Sequence, residues 1–169
     1  KVAVLGAKGR MGAEAVVAIN SATDLTLSAA LDLGDSLDQL VSTGTEVIVD
    51  FTTPDSVMKN LEFAINNDIH VVVGTTGFDD KKLEQLKSLL SNHPKVGALI
   101  APNFGLGAVL MMQFSQTAAK YFESAEIVEM HHAHKVDAPS GTAIRTAQMI
   151  TDARKQSKKE AMPDATKSE

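Results

Sequence analysis

KVAVLGAKGRMG, residues 1–12, places a run of apolar residues directly before three regularly spaced glycines. The run VAVL predicts a buried β-strand. Glycines 6, 9 and 12 predict a tight turn into the following helix, where small residues let the backbone approach a phosphate and the helix N-terminus offers free N–H donors. The common dinucleotide fingerprint is G-x-G-x-x-G, whereas the spacing here is G-x-x-G-x-x-G. The same stretch therefore also allows a simpler interpretation, a turn that needs glycine only for its conformation.

Apolar runs alternate with amphipathic segments through the rest of the first half. The runs predict strands in LTLSAALD, EVIVDFT, IHVVVGTT and VGALIAPN, and the amphipathic segments predict helices in GAEAVVAIN, PDSVMKNLEFAINND and DDKKLEQLKSLLSN. Continuous Val, Ile and Leu runs separated by helices are typical of a parallel sheet that is covered on both faces. The sequence therefore predicts an α/β fold with a doubly wound, Rossmann-like parallel sheet.

The alternation changes after Asn103. From there the sequence predicts a long helix in GAVLMMQFSQTAAKYF, a strand in AEIVEMHH, a polar loop, and a helix in GTAIRTAQMITDARK. We therefore expect a dinucleotide-binding domain over residues 1–103 and a second, α+β domain over residues 104–169.

Composition narrows the function classes. The net charge is -5, and aromatic residues make up only 4% of the chain, which disfavours nucleic acid as a partner. No apolar run approaches membrane-spanning length, and the chain enters a strand at once without a signal segment. The chain has no cysteine, which excludes disulfides, thiolate metal sites and thiol nucleophiles. We expect a cytoplasmic enzyme or binding domain.

Several features favour a nucleotide site over a plain turn. Asp32 closes the second predicted strand, where a carboxylate can accept the ribose hydroxyls of NAD. Lys8 and Arg10 can both reach a 2′-phosphate, so we expect NADH and NADPH both to bind, with NADH at least competitive. GTTGF, residues 74–78, and APNFG, residues 101–105, each end a predicted strand, where ligands bind in open α/β sheets. We therefore expect both loops to flank the nicotinamide end of the cofactor, although plain turn chemistry also explains them.

Proton carriers are concentrated in HHAHKVDAPSGTA, residues 131–143. Neighbouring histidines on a strand face opposite sides and no cysteine lies nearby, so a metal site is disfavoured. A solvated polar loop is the simpler alternative. Near neutral pH, however, His131 or His132 could supply a proton, and Lys135 adds a positive charge.

The end of this segment predicts an anion site. Ser140 is a good N-cap for the following helix, and Gly141 and Thr142 then present N–H groups and a hydroxyl at the helix N-terminus. We expect these three residues to bind a substrate carboxylate. A hydride donor in the first half, together with this carboxylate site and a proton donor, predicts reduction of a C=N or C=C bond conjugated to a carboxylate.

EIVEMHHAHKVDAPSGTA, residues 126–143, resembles the signature of the 4-hydroxy-tetrahydrodipicolinate reductase family, also called dihydrodipicolinate reductase. GAKGRMG, VDFTTP, VVGTTGF and APNFGLGAV resemble other segments of the same family in the same order, nearest to its actinobacterial branch. The resemblance implies that NADH or NADPH reduces a dicarboxylate heterocycle to tetrahydrodipicolinate, in lysine and diaminopimelate biosynthesis. It also implies a homotetramer whose second domain binds the substrate and joins the subunits.

The resemblance also implies roles for individual residues. His131 falls on the proton donor of the family, and Lys135 on its second catalytic residue, which also engages a substrate carboxylate. His132, Gly141 and Thr142 fall on substrate-binding positions. The positions that fall on cofactor-binding residues are Gly6, Ala7, Lys8, Gly9, Arg10, Met11, Asp32, Gly74, Thr75, Thr76, Ala101, Pro102, Asn103 and Phe104. No metal is implied.

Members of this family continue beyond the point that corresponds to Glu169. We therefore expect the second domain to be incomplete here and this chain not to form the full tetramer by itself. A non-catalytic nucleotide-binding domain, or an inactive fragment, is the alternative function, and His131 with Lys135 counts against it. A semialdehyde dehydrogenase of similar layout is excluded, because its acyl intermediate forms on a cysteine and the chain has none.

Overall fold

The computed structural model describes residues 1–75, 77–101, 103–131, 133, 138–160 and 162. The chain divides into two compact units, Lys1–Ala101 and Pro102–Glu169. The elements of the first unit are, in chain order, β1 (Val2–Leu5), α1 (Arg10–Ser21), β2 (Leu27–Leu31), α2 (Asp38–Ser42), β3 (Val47–Asp50), α3 (Val57–Asn66), β4 (His70–Val73), α4 (Asp80–Ser91) and β5 (Ala98–Ile100).

The five strands form one parallel sheet in the order β2-β1-β3-β4-β5. Successive side chains of a strand point to opposite faces, and here both faces are covered. Val2 and Val4 pack with Ile19 of α1 on one face. Ala3 and Leu5 belong to a larger core on the other face, with buried residues of α2, α3 and α4. Burial on both faces confirms the predicted doubly wound α/β fold.

Two local features of the first unit differ from the sequence prediction. The short helix α2 was not predicted, because five residues carry little periodicity; its Leu40 is nonetheless fully buried. The helix predicted to begin with Pro54 begins instead at Val57, because the N–H groups of Ser56 and Val57 both donate to the carbonyl of Thr53 and close a turn first.

The second unit contains two long helices among its described residues, α5 (Leu106–Ala118) and α6 (Gly141–Gln156). Ala119 just beyond α5 packs against Ile150 and Ala153 of α6. The buried guanidinium of Arg154 donates to the carbonyl oxygens of Phe122 and Glu160, both at 2.9 Å, which satisfies main-chain acceptors beyond both helices. No helix in the described part of either unit is long and apolar enough to cross a membrane.

The strand predicted in AEIVEMHH is wrong for its described residues, since 125–131 form no strand. The pattern of alternating apolar residues is present, but a strand also needs a hydrogen-bonded neighbour, and no described segment of this unit pairs with it. The apolar side chains therefore stay in solvent: Val128 is 85% exposed and Met130 is 91% exposed.

Candidate functional site

The glycine loop between β1 and α1 brings main-chain atoms unusually close together. Gly6 has a φ of +76°, and a Cβ there would lie 2.7 Å from the carbonyl oxygen of Phe51. A Cβ on Gly12 would lie only 2.0 Å from the carbonyl oxygen of Gly6. Neither position has room for a side chain, so both must be glycine. The loop they form runs directly into the N-terminus of α1. A phosphate group can approach main-chain atoms in such a loop.

Asp32, at the end of β2, is held against this loop. One of its carboxylate oxygens accepts from the main-chain N–H of Lys8 at 2.7 Å, and the other accepts from the N–H of Leu33 at 2.8 Å. The hydrogen bonds from Leu33 and Lys8 lower the pKa of the Asp32 carboxyl below its usual value. An ionised, half-buried acceptor thus lies beside the glycine loop, which is where a ribose diol is bound in this kind of fold.

The loop after β4 is fixed by Asp50, a residue for which the sequence pattern indicates no role. The N–H of Gly74 donates to the main-chain carbonyl of Asp50 at 2.9 Å, and the hydroxyl of Thr75 donates to its carboxylate at 2.9 Å. Ala101 follows β5 and donates its N–H to the carbonyl of Val73. These predicted cofactor residues therefore lie together at the carboxyl edge of the sheet, where ligands bind in open α/β sheets. Together with the close-packed glycine loop and the carboxylate of Asp32, this arrangement fits a dinucleotide.

Glu129 joins two predicted site residues in the second unit, although no sequence motif pointed to it. One of its carboxylate oxygens lies 2.9 Å from Nε2 of His131, and the other accepts from the N–H of Ser140 at 2.9 Å. Ser140 is the N-cap of α6, as predicted, and its hydroxyl accepts from the N–H of Ala143 at 3.1 Å. A proton carrier and the positive end of a helix dipole therefore share one carboxylate.

Asn103 and Thr142 were predicted to bind different ligands, yet the structure brings them together. The side-chain amide of Asn103 donates to the hydroxyl of Thr142 at 3.1 Å, while its oxygen accepts from the N–H of Gly105 at 2.7 Å. The N-terminus of α6 is thus tied to the segment that begins α5. Gly141 opens α6 next to Ser140.

Four predicted site residues lie outside the described residues: Thr76, Pro102, His132 and Lys135. Within the described ranges, no group of three His, Cys, Asp or Glu side chains could hold a metal ion. The remaining predicted cofactor positions Ala7, Gly9, Arg10 and Met11 belong to the loop and first turn of α1, and Phe104 precedes α5.

Glu129 predicts a pH dependence of stability. The hydrogen bonds from His131 and Ser140 hold the pKa of the Glu129 carboxyl at about 2, below its usual 4.5. A group with a lowered folded-state pKa stabilises the fold at pH values above its unfolded-state pKa, and this stabilisation is lost as the pH falls towards the folded-state pKa. We expect the difference in free energy of unfolding between the wild type and Glu129→Gln to be constant at neutral pH and to shrink between pH 4.5 and about 2.

Urea unfolding at several pH values measures this difference. Glu126→Gln is the matched control, because Glu126 is an exposed carboxylate of the same segment. The free energy of unfolding of this control should differ from that of the wild type by the same small amount at every pH. A Glu129→Gln difference that does not change between neutral and acidic pH would contradict the hydrogen-bonded arrangement.

Comparison with known proteins places these features in a family. The family model for the N-terminus of dihydrodipicolinate reductase matches residues 1–104, and the model for its C-terminus matches residues 107–167. The chain is 58% identical to the 4-hydroxy-tetrahydrodipicolinate reductase of Streptomyces avermitilis over 98% of this chain and 66% of that protein. It is 56% identical to the enzyme of Cutibacterium acnes over 100% of this chain and 68% of that protein.

A solved structure agrees with the sequence matches. The dipicolinate-bound dihydrodipicolinate reductase from Paenisporosarcina sp. TG-14 superposes with a TM-score of 0.77 at 38% identity, over 99% of this chain and 70% of that one. The chain spans about two thirds of the length of the curated relatives that it matches. The two family models and these identities show that the chain belongs to the dihydrodipicolinate reductase family.

Proposed function

We propose that the protein uses NADH or NADPH to reduce 4-hydroxy-tetrahydrodipicolinate to tetrahydrodipicolinate, in the diaminopimelate route to lysine. The first unit binds the cofactor, and the second unit binds the dicarboxylate and supplies a proton. When bound, the reduced nicotinamide supplies the hydride. The family resemblance implies a cytoplasmic homotetramer as the working form, which we expect this chain not to form by itself.

One structural observation carries this proposal. Glu129 binds both the ring of His131 and the N-terminus of α6, so a proton carrier lies beside a helix end that attracts anions. Hydride addition to a C=N or C=C bond conjugated to a carboxylate uses both of these groups, one to bind the acid and one to protonate the anion that the addition leaves. Lys135 adds a positive charge that binds a substrate carboxylate, and His132, Gly141 and Thr142 complete the binding site. The Paenisporosarcina relative binds dipicolinate, a stable diacid of the same class.

An activity assay tests the proposed reaction. The freshly made product of 4-hydroxy-tetrahydrodipicolinate synthase is supplied with NADH, and the loss of NADH absorbance is followed. We expect NADH to be consumed only when that product is present, and dipicolinate to inhibit the reaction. Binding of NADH without any turnover would support a non-catalytic nucleotide-binding domain instead.

Asp32 predicts how the two cofactors are distinguished. Its carboxylate would accept the ribose hydroxyls of NADH but repel the 2′-phosphate of NADPH, which Lys8 and Arg10 can bind. We expect Asp32→Ala to weaken NADH binding by about tenfold, the loss expected for one or two hydrogen bonds to a charged group. NADPH binding should fall less or improve. Fluorescence titration with each cofactor measures both affinities.

Asp24→Ala is the matched control for this experiment. Asp24 is an exposed carboxylate that precedes β2, at the opposite end of that strand from Asp32. The substitution makes the same change in net charge and should alter neither affinity. Equal losses of NADH and NADPH in Asp32→Ala would show that the carboxylate only braces the loop through the N–H of Lys8.

A further inference from the structure

Asp50 is a fully buried carboxylate at the end of β3, and the proposed function gives it no role. Its Oδ1 accepts from the N–H of Thr52 at 2.8 Å, from the hydroxyl of Thr52 at 2.6 Å and from the hydroxyl of Thr75 at 2.9 Å. Its Oδ2 accepts from the side-chain amide of Asn60 at 2.9 Å. Four donors from three different segments therefore point at one side chain.

The sheet does not need this carboxylate for its own pairing. Main-chain pairing already places Asp50 beside Leu5 on β1 and beside Val73 on β4. A buried carboxylate is costly, and an apolar side chain of similar size usually fills a core position at lower cost. The donors come from the loop after β3, from α3 and from the loop after β4. The carboxylate therefore fixes segments outside the sheet.

The fixed segments border the proposed cofactor site. Phe51, next to Asp50, places its carbonyl against Gly6 of the glycine loop. Thr75 follows Gly74, which belongs to the loop expected at the nicotinamide end. The same two loops also touch further along, because a Cβ on Gly77 would lie 2.8 Å from the Cβ of Pro54. Asp50 is thus the shared acceptor between the loop after β3 and the loop after β4.

We propose that Asp50 is a positioning residue that holds Thr75 and its loop in place for the nicotinamide half of the cofactor. The inference rests on the proposed function, because it assumes that the first unit binds NADH or NADPH. It assigns Asp50 no contact with the cofactor. The main chain of Phe51 is held separately, because its N–H donates to the carbonyl of Leu5 at 3.0 Å, so the glycine loop does not depend on the carboxylate. The effect of Asp50 should therefore fall on the part of the ligand that the loop after β4 contacts.

Two ligands separate this role from a purely structural one. NADH carries the nicotinamide ring, whereas ADP-ribose is the same molecule without that ring. In Asp50→Leu, which keeps the branching at Cγ but has no acceptor, we expect calorimetry to show NADH binding weakened by about tenfold or more. ADP-ribose binding should stay within about twofold of the wild type. Asp50→Asn keeps an acceptor oxygen and should recover most of the NADH affinity.

A second pair of variants tests the same contact from the other side and does not disturb the buried carboxylate. Thr75→Val removes the hydroxyl at nearly constant volume, while Thr75→Ser keeps it. We expect the valine variant to lose affinity for NADH but not for ADP-ribose. The serine variant should bind NADH nearly as tightly as the wild type does. If both side chains act through one contact, the double variant Asp50→Leu/Thr75→Val should bind NADH no more weakly than Asp50→Leu alone. Should Asp50→Leu fail to fold, the Thr75 pair decides the question.

The outcomes that overturn the inference are distinct from those that overturn the proposed function. Equal losses of affinity for NADH and ADP-ribose in Asp50→Leu, or no loss of NADH affinity in Thr75→Val, would mean that Asp50 only holds the unit together. A wild-type chain that binds neither ligand would instead refute the proposed cofactor site, and this inference with it.

Discussion

Replacing His131 by glutamine should lower kcat by about 10²–10⁴-fold, the usual contribution of a positioned general acid, and leave NADH binding unchanged. Glutamine has a similar reach and can still donate to Glu129, so the local hydrogen bond can be kept. It cannot, however, deliver a proton at neutral pH. The side chain of His131 is 35% exposed, so a substrate can reach it. Steady-state kinetics and NADH titration measure the two quantities separately.

Two histidine variants complete this experiment. His93→Gln is the matched control, since His93 lies in the first unit before β5, close to Asp68 at 3.8 Å, and takes no part in the proposed site. It should retain full activity. His132→Gln tests the neighbouring candidate. An active His131→Gln protein together with an inactive His132→Gln protein would reverse the assignment of the proton donor.

The fold of the first unit could be predicted because its signals are local. Each strand is a short apolar run and each long helix has its own periodicity, so no contact between distant residues had to be known. The predicted strand over AEIVEMHH failed for the opposite reason. Its alternating pattern describes one strand, but whether it pairs depends on another segment, and sequence spacing does not show that.

The two missed residues have the same explanation. Glu129 became a candidate only because folding places it against Ser140, and Asp50 only because Thr75 comes to it from the next strand. A carboxylate in a sequence can be a solvated charge, a turn residue or a buried acceptor, and composition does not separate these. The glycine loop and the N-cap at Ser140 were predictable, since both depend on residues that are close in sequence.

The glycine loop predicts the second large effect, on cofactor binding and stability together. Gly12→Ala would put a Cβ 2.0 Å from the carbonyl oxygen of Gly6, far inside any real contact. That carbonyl accepts from the N–H of Gly9 at 3.0 Å, so its displacement distorts the loop that would hold the phosphates. We expect NADH affinity to fall by about 100-fold, which corresponds to roughly 3 kcal/mol. The free energy of unfolding should also fall, by about 2 kcal/mol or more.

Gly107→Ala is the control, because Gly107 is also near the start of a helix but a Cβ there would meet nothing within 4 Å. Alanine in that helix should leave NADH binding unchanged and raise stability by about 0.5–1 kcal/mol. The two variants therefore make the same chemical change with opposite expected signs. Thermal unfolding and NADH titration of both proteins test the comparison. If Gly12→Ala binds NADH as well as Gly107→Ala does, close packing at Gly12 has no part in forming the phosphate site, and that segment is an ordinary strand-to-helix turn.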